Sequence, residues 1–167
     1  VKFHTRGRTA PPDTPLHRAA MGGHAAMIGI LLKHGADVNA HTRSGDLPTP
    51  IGGIALGGET PLHHAAGGSC TECVRLLLEH GAKVDEKDAR GNTPLVYAVL
   101  RGERDTAALL IGAGAAVGGH DRDAIPLLLA AYNGDAEMVR LLLDHGADIR
   151  AVNRNGSTAL HRAVAFP

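Results

Sequence analysis

The sequence predicts an all-α solenoid of stacked antiparallel helix pairs with protruding hairpin loops, and three observations predict it. A short motif, Thr14-Pro15-Leu16-His17-Arg18-Ala19-Ala20, returns as Thr60-Pro61-Leu62-His63-His64-Ala65-Ala66 and more loosely from Thr93, Ile125 and Thr158, at offsets of 46, 33, 32 and 33 residues. A second motif follows twenty-one residues after each of the first four starts: Gly35-Ala36-Asp37-Val38, Gly81-Ala82-Lys83-Val84, Gly114-Ala115-Ala116-Val117 and Gly146-Ala147-Asp148-Ile149. Two motifs in fixed phase define a repeat unit that can bury its apolar face only on its neighbours. Aromatics make up 2% of the chain and Trp is absent, so any core is built from Leu, Val, Ile and Ala.

Each unit reads as helix, helix, hairpin. Thr is a good N-cap, and Pro at the first helical position has a preset φ and no orphan N–H. The His three residues after Thr can reach back to it, as Glu or Gln does in a capping box. Leu then faces the core, and the Ala pair lets neighbouring helices approach closely. Gly23, Gly102 and Gly134 fit the stop after this short helix, with Ser69 in the second copy. The second helix carries apolar residues at helical spacing: Ile28, Leu31 and Leu32; Val74, Leu77 and Leu78; Ala107, Leu110 and Ile111; Val139, Leu142 and Leu143. Gly35, Gly81, Gly114 and Gly146 end it, and a polar, turn-rich stretch follows as a hairpin. Residues 1–12 read as an extended N-terminal segment and 13–167 as the repeat domain. The long first offset places an insertion at 47–59, expected to be an exposed, mobile loop, with Ile51, Ile54 and Leu56 able to dock on a partner or over Gly67 and Gly68. The fifth unit contains only its first helix.

At these residues the chain resembles the ankyrin-repeat family. The copy starting at Thr14 meets the family's Thr-Pro-Leu-His, Ala-Ala, Gly-His, Leu-Leu and Gly-Ala-Asp-Val-Asn-Ala positions, and the period is that of the family. The resemblance spans roughly residues 13 to 166. It implies a binding module rather than a catalyst, and a concave face lined by the ends of the first helices. Neither end carries a polar capping pair, which implies a fragment of a longer array or ends covered by other domains. It also raises hydroxylation of Asn39, which stands in Val38-Asn39-Ala40 with Leu31 eight residues earlier. The alternative reading is that Asn39 bonds its own hairpin backbone as an Asx turn.

Composition narrows the function further. Seventeen basic and seventeen acidic residues cancel, without the basic excess of a general nucleic-acid or anionic-membrane binder. No apolar run approaches a membrane span, and the first residues lack a secretory signal. Cys70 and Cys73 are too few and too close for a disulfide framework, which points to a reducing compartment, cytoplasmic or nuclear. Cys73 is explained by packing, because a redox Cys-x-x-Cys needs a βαβ setting and zinc needs a second pair. The repeat accounts for seven of the eleven histidines, leaving His4, His41, His64 and His120 in no metal-like cluster. Gly52-Gly53 and Gly57-Gly58 match no phosphate loop, and no nucleophile elbow occurs. The expectation is no enzyme, no cofactor and no metal.

The variable positions that remain lie at the first-helix ends and the hairpin tips. Leu100, Arg101, Tyr132 and Asn133 are expected to form one patch across adjacent copies. Lys87, Arg90, Arg43 and Arg154 stand at the tips, and Tyr and Arg are the types that most often anchor interfaces. The sequence thus points to a protein-interaction scaffold whose partner is another protein. It would be a monomer able to associate end to end, with no nucleic acid and no membrane insertion. The alternative is the regulatory or targeting region of a larger protein, such as a kinase, ubiquitin-ligase subunit or channel.

Overall fold

The Thr-Pro steps start helices, and the glycines stop them. The computed structural model describes residues 14–42, 57–118 and 126–164. The helices are α1 (Pro15–Met21), α2 (Ala25–Lys33), α3 (Pro61–Ala66), α4 (Thr71–Glu79), α5 (Pro94–Arg101), α6 (Arg104–Gly112), α7 (Pro126–Tyr132), α8 (Ala136–Asp144) and α9 (Ala159–Val164). Among the described residues there is no strand.

The capping His works through one tautomer. Nδ1 of His17 lies 3.1 Å from the Thr14 amide and 2.9 Å from the Thr14 hydroxyl, and His63 repeats this on Thr60 at 3.0 and 2.9 Å. Because Nδ1 accepts from the amide, the proton sits on Nε2. That N–H donates to the next hairpin, at the Glu59 carbonyl for His17 and the Asn92 carbonyl for His63, each 3.1 Å. One side chain therefore caps its own helix and fastens the following repeat. His34, His80 and His145 use the opposite tautomer. Their Nδ1–H donates to the carbonyl four residues earlier, at 2.8 Å each, adding a side-chain bond to the last turn of the second helix. Gly35, Gly81, Gly114 and Gly146, with φ between 80° and 95°, then take the left-handed turn that an L side chain resists.

The core is a continuous seam of small aliphatic side chains. Leu16, Ala20, Leu62, Ala65, Ala66, Leu95, Ala98, Leu127 and Ala130 come from the first helices, and Ile28, Val74, Leu77, Leu110, Met138 and Leu142 from the second. The alanines let α1, α3, α5, α7 and α9 pack closely on one another, whereas α6 and α8 scarcely touch. The first helices are thus the inner, tighter row of the stack, and the second helices the outer one. α9 packs on α7, with Leu160 exposed.

Three sequence expectations need correction. Asn39 does not turn its own hairpin. Asp37 does that, accepting the Asn39 amide at 3.0 Å, while the Asn39 side chain bridges to the next repeat through the Gly81 carbonyl (3.2 Å) and the Lys83 amide (2.9 Å). The span 47–59 is not uniformly an exposed loop. Residues 47–56 lie outside the described residues, but Gly57 and Glu59 are buried. Thr42 and Glu59 are joined backbone to backbone at 2.8 Å, the Gly58 amide reaches the Thr42 carbonyl at 2.8 Å, and the Ala89 amide reaches the Gly57 carbonyl at 3.0 Å. Finally, Cys70 and Cys73 are joined by a disulfide across the first turn of α4. Packing explains the burial of Cys73 but not this bond. The N-cap and third helical positions bring their Cα atoms to 5.3 Å, within bonding reach.

Candidate functional site

The candidate surface lies where the inner helices end. Tyr132 closes α7 and is 48% exposed, the largest exposed side chain on the inner row. Its neighbour Asn133 turns back and donates Nδ2–H to the Val99 carbonyl of α5 at 3.4 Å. Arg101, at the equivalent position one repeat earlier, donates Nε–H to the Gly67 carbonyl at 3.3 Å. Leu100 is half-buried beside it. The four helix-end residues therefore occupy adjacent repeats, and two of them also tie one repeat to the one before. Arg101 and Asn133 are structural as well as exposed, a double role that sequence spacing does not reveal.

The tip residues form a second group. Lys87 and Arg90 are exposed on the second hairpin and Arg154 on the last, while Arg43 lies outside the described residues. The second and the last hairpin are each held from beneath by one buried acceptor. Asp88 receives the amides of Arg90 and Asn92 at 2.8 Å each, the Asn92 side chain at 3.0 Å and the Tyr97 hydroxyl at 2.9 Å. Burial, followed by the Asp88 charge and hydrogen bond, pushes the Tyr97 phenol far above its ordinary range, so this hydroxyl remains a donor. Asn153 does the same for the last hairpin, accepting the amides of Asn155 (3.0 Å) and Ser157 (2.9 Å). Asp88 and Asn153 are framework, and the cationic residues above them are presented outward.

One functional candidate was missed by sequence reasoning. Arg162, on α9, holds its guanidinium 5.9 Å from the centre of the Tyr132 ring, a cation–π distance. The two side chains form the rim of a pocket of about 160 Å³ floored by Leu128 and Leu129, with Asn153 at its side. The available signal was that Arg162 fills the same slot of its motif as Arg18. That slot is masked at the level of pattern, because His64 and Tyr97 occupy it in other copies and are buried.

On the outer row the exposed arginines are paired locally. Arg75 meets Glu72 at 3.3 Å and Arg140 meets Glu137 at 2.8 Å, both one helical turn apart. Between repeats, Arg104 forks onto Asp135 at 2.8 to 3.2 Å. Burial would raise the Asp135 pKa, but the Arg104 hydrogen bonds and charge and the Met138 amide hold it below the ordinary carboxylate value. No three His, Cys, Asp or Glu side chains among the described residues come together to hold a metal ion. Among the same residues no helix is long and apolar enough to cross a membrane.

With this geometry in hand, comparison with known proteins is direct. Family models described as an ankyrin repeat, ankyrin repeats in three copies and ankyrin repeats in many copies match residues 13–43, 47–121 and 125–166. Among relatives, an ankyrin repeat-containing protein of Treponema pallidum is 45% identical over 80 residues, covering 47% of this chain and 27% of the relative. The E3 ubiquitin-protein ligase KEG of Arabidopsis thaliana is 40% identical over 81 residues, 47% of this chain and 5% of the relative. The transient receptor potential cation channel subfamily V member 5 of Mus musculus is 55% identical over 42 residues, 25% of this chain and 6% of the relative. The chain thus spans no more than about a quarter of the length of these three relatives. Repeat period, caps, helix pairs and family models agree, and the chain belongs to the ankyrin-repeat family.

Proposed function

We propose that the chain is a protein-binding scaffold that engages another protein through its hairpin tips and the inner helix face around Tyr132. The observation that carries this reading is a half-exposed tyrosine on the inner row, backed by close-packed helices, with the half-buried Arg162 against its ring and an exposed Arg101 one repeat earlier. A preorganised aromatic and a guanidinium are the usual anchors of an interface, because they bury much area for little lost freedom. The paired arginines of the outer row offer no comparable anchor. A second reading is favoured by the relatives: ankyrin stretches resembling this one form a small part of a ubiquitin ligase and of a cation channel. In that reading the same surface serves as the targeting or regulatory region of a larger protein, and the chain itself performs no catalysis.

The test is a pull-down to supply the partner, followed by two paired variants. Arg101→Ala with Tyr132→Ala should weaken binding by about tenfold or more, while Arg75→Ala with Arg140→Ala should change it little. Because Arg101 also bonds the Gly67 carbonyl, Tyr132→Ala alone is measured beside the pair, with helicity as a control. Loss of binding in the outer pair only would put the surface on the wrong face.

A further inference from the structure

The net charge is zero, but the charges are not evenly spread. The inner helices α1, α3, α5, α7 and α9 contain Arg18, Arg101 and Arg162 and not one Asp or Glu. The outer helices α4, α6 and α8 mix the acids Glu72, Glu79, Asp105, Glu137 and Asp144 with Arg75, Arg104 and Arg140, each of these arginines paired with a carboxylate, and α2 carries Lys33. Carboxylates of the second hairpin are already engaged within the protein. Asp85 accepts the Ala116 amide at 3.0 Å, Glu86 pairs with Lys83 at 3.3 Å, and Asp88 sits beneath the turn it holds. Among the described residues the inner helices therefore carry cations and no carboxylate, with Glu103 just after α5 taken by the Ser69 hydroxyl at 2.9 Å, and such a face selects its partner by charge.

Its most developed point is the pocket beside Tyr132. Leu128 and Leu129 give it an apolar floor, Tyr132 an aromatic wall and Arg162 a cationic rim, in a space of about 160 Å³. That is room for one side chain. An aliphatic group would sit on the leucines, and a carboxylate next to it in sequence would reach the guanidinium, whose planar fork suits a carboxylate. Neighbouring inner helices are about 8–10 Å apart, and an extended peptide covers that distance in about three residues. Arg101, two inner helices from Arg162, would then meet a second acid about six residues away.

We propose that the inner groove of α5, α7 and α9 binds an extended acidic peptide, seating an aliphatic side chain on Leu128 and Leu129 and an adjacent carboxylate on Arg162. This rests on the inner face being the binding surface, and the experiment separates the two. The probe is a fluorescein-labelled twelve-residue peptide of alternating Glu and Leu, followed by anisotropy with the full chain. The same peptide with Gln or Lys for Glu, and a labelled oligothymidylate, are its comparisons. The Glu peptide should bind tightest and weaken with added salt. Arg162→Gln and Tyr132→Ala should each weaken it about tenfold, and Arg162→Gln should sharply reduce the preference for Glu over Gln, leaving only the part that Arg101 supplies. Arg162→Lys, which keeps the charge if α9 is sensitive to the side chain, should retain that preference. Arg75→Gln with Arg140→Gln should change nothing. Equal binding of the Glu and Gln peptides, or no saturable peptide binding, overturns the proposal. Tighter binding of the oligothymidylate with the same Arg162 dependence overturns it in favour of a nucleic acid. If Tyr132→Ala weakens every peptide alike, only the acidic preference fails. If the outer pair alone removes binding, the inner-face reading fails with it.

Discussion

His63 performs two tasks that both require a neutral ring. Nδ1 must accept the Thr60 amide while Nε2–H holds the Asn92 carbonyl. Burial pulls its pKa below the ordinary 6.5, against the Asn92 carbonyl and the charges of Asp88 and Glu59, which favour the proton. In the unfolded chain the ring titrates normally, so on acidification the unfolded state takes the proton first. The His63 contribution is therefore complete above the unfolded value and falls as pH drops from there toward the native one. Thermal melts should show stability decreasing between about pH 7 and 5, with a shallower dependence in His63→Gln, whose amide can still serve as a capping-box acceptor. An unchanged slope would mean that His63 is not the titrating group. A second residue-scale test concerns Asp135, which accepts the Met138 amide at 3.0 Å as the N-cap of α8 and also meets Arg104. Asp135→Ala should cost about 1 kcal/mol in denaturant unfolding. Asp135→Asn should cost less, since Asn keeps the cap and loses only an exposed ion pair. Equal losses would assign the effect to the charge.

At the scale of elements, the hairpins join the stack together. The first two repeats reach forward into the next through different atoms: His17 to Glu59, Asn39 to Gly81 and Lys83, and Asp85 to Ala116. The stretch read from the sequence as an insertion follows the first of these hairpins, and the described residues on either side of it are joined. Thr42 is bonded to Gly58 and Glu59, and Gly58 has φ +80° with the Ala89 amide nitrogen where a Cβ would come within 2.9 Å. A loop whose ends are already joined can change length at small entropic cost. Deleting residues 47–56 with a short glycine linker should therefore leave the melting temperature nearly unchanged. Extending the deletion to residue 59 should lower it by several degrees, because the His17 bond, the buried Glu59 and the Ala89 contact go with it. Equal effects of the two deletions would show that the stem contributes nothing.

For the whole molecule, two rows of helices with unlike surfaces follow from one short motif. Thr-Pro, the Ala pairs and the glycines were legible because each satisfies a local requirement: a cap, a close approach or a left-handed turn. The inter-repeat bonds were not. Asn39 looks like a turn residue in sequence, and only the stacking of the second repeat shows its amide facing Gly81. The candidate surface was legible in part. Tyr132 and Arg101 stood out as variable anchors, but the Tyr132–Arg162 contact joins residues thirty positions apart across two helices, and no local pattern encodes it. Cys70 and Cys73 illustrate the same gap, since their separation reads as too short until a helix start brings them together. The central claim is that the inner row is the binding face. Amide hydrogen exchange of the free and partner-bound chain tests it most directly. Bound protection should concentrate at the ends of α5 and α7, in α9, and in the hairpin amides around Arg90 and Asn155. Protection confined to α4, α6 and α8, with those segments unchanged, would contradict it.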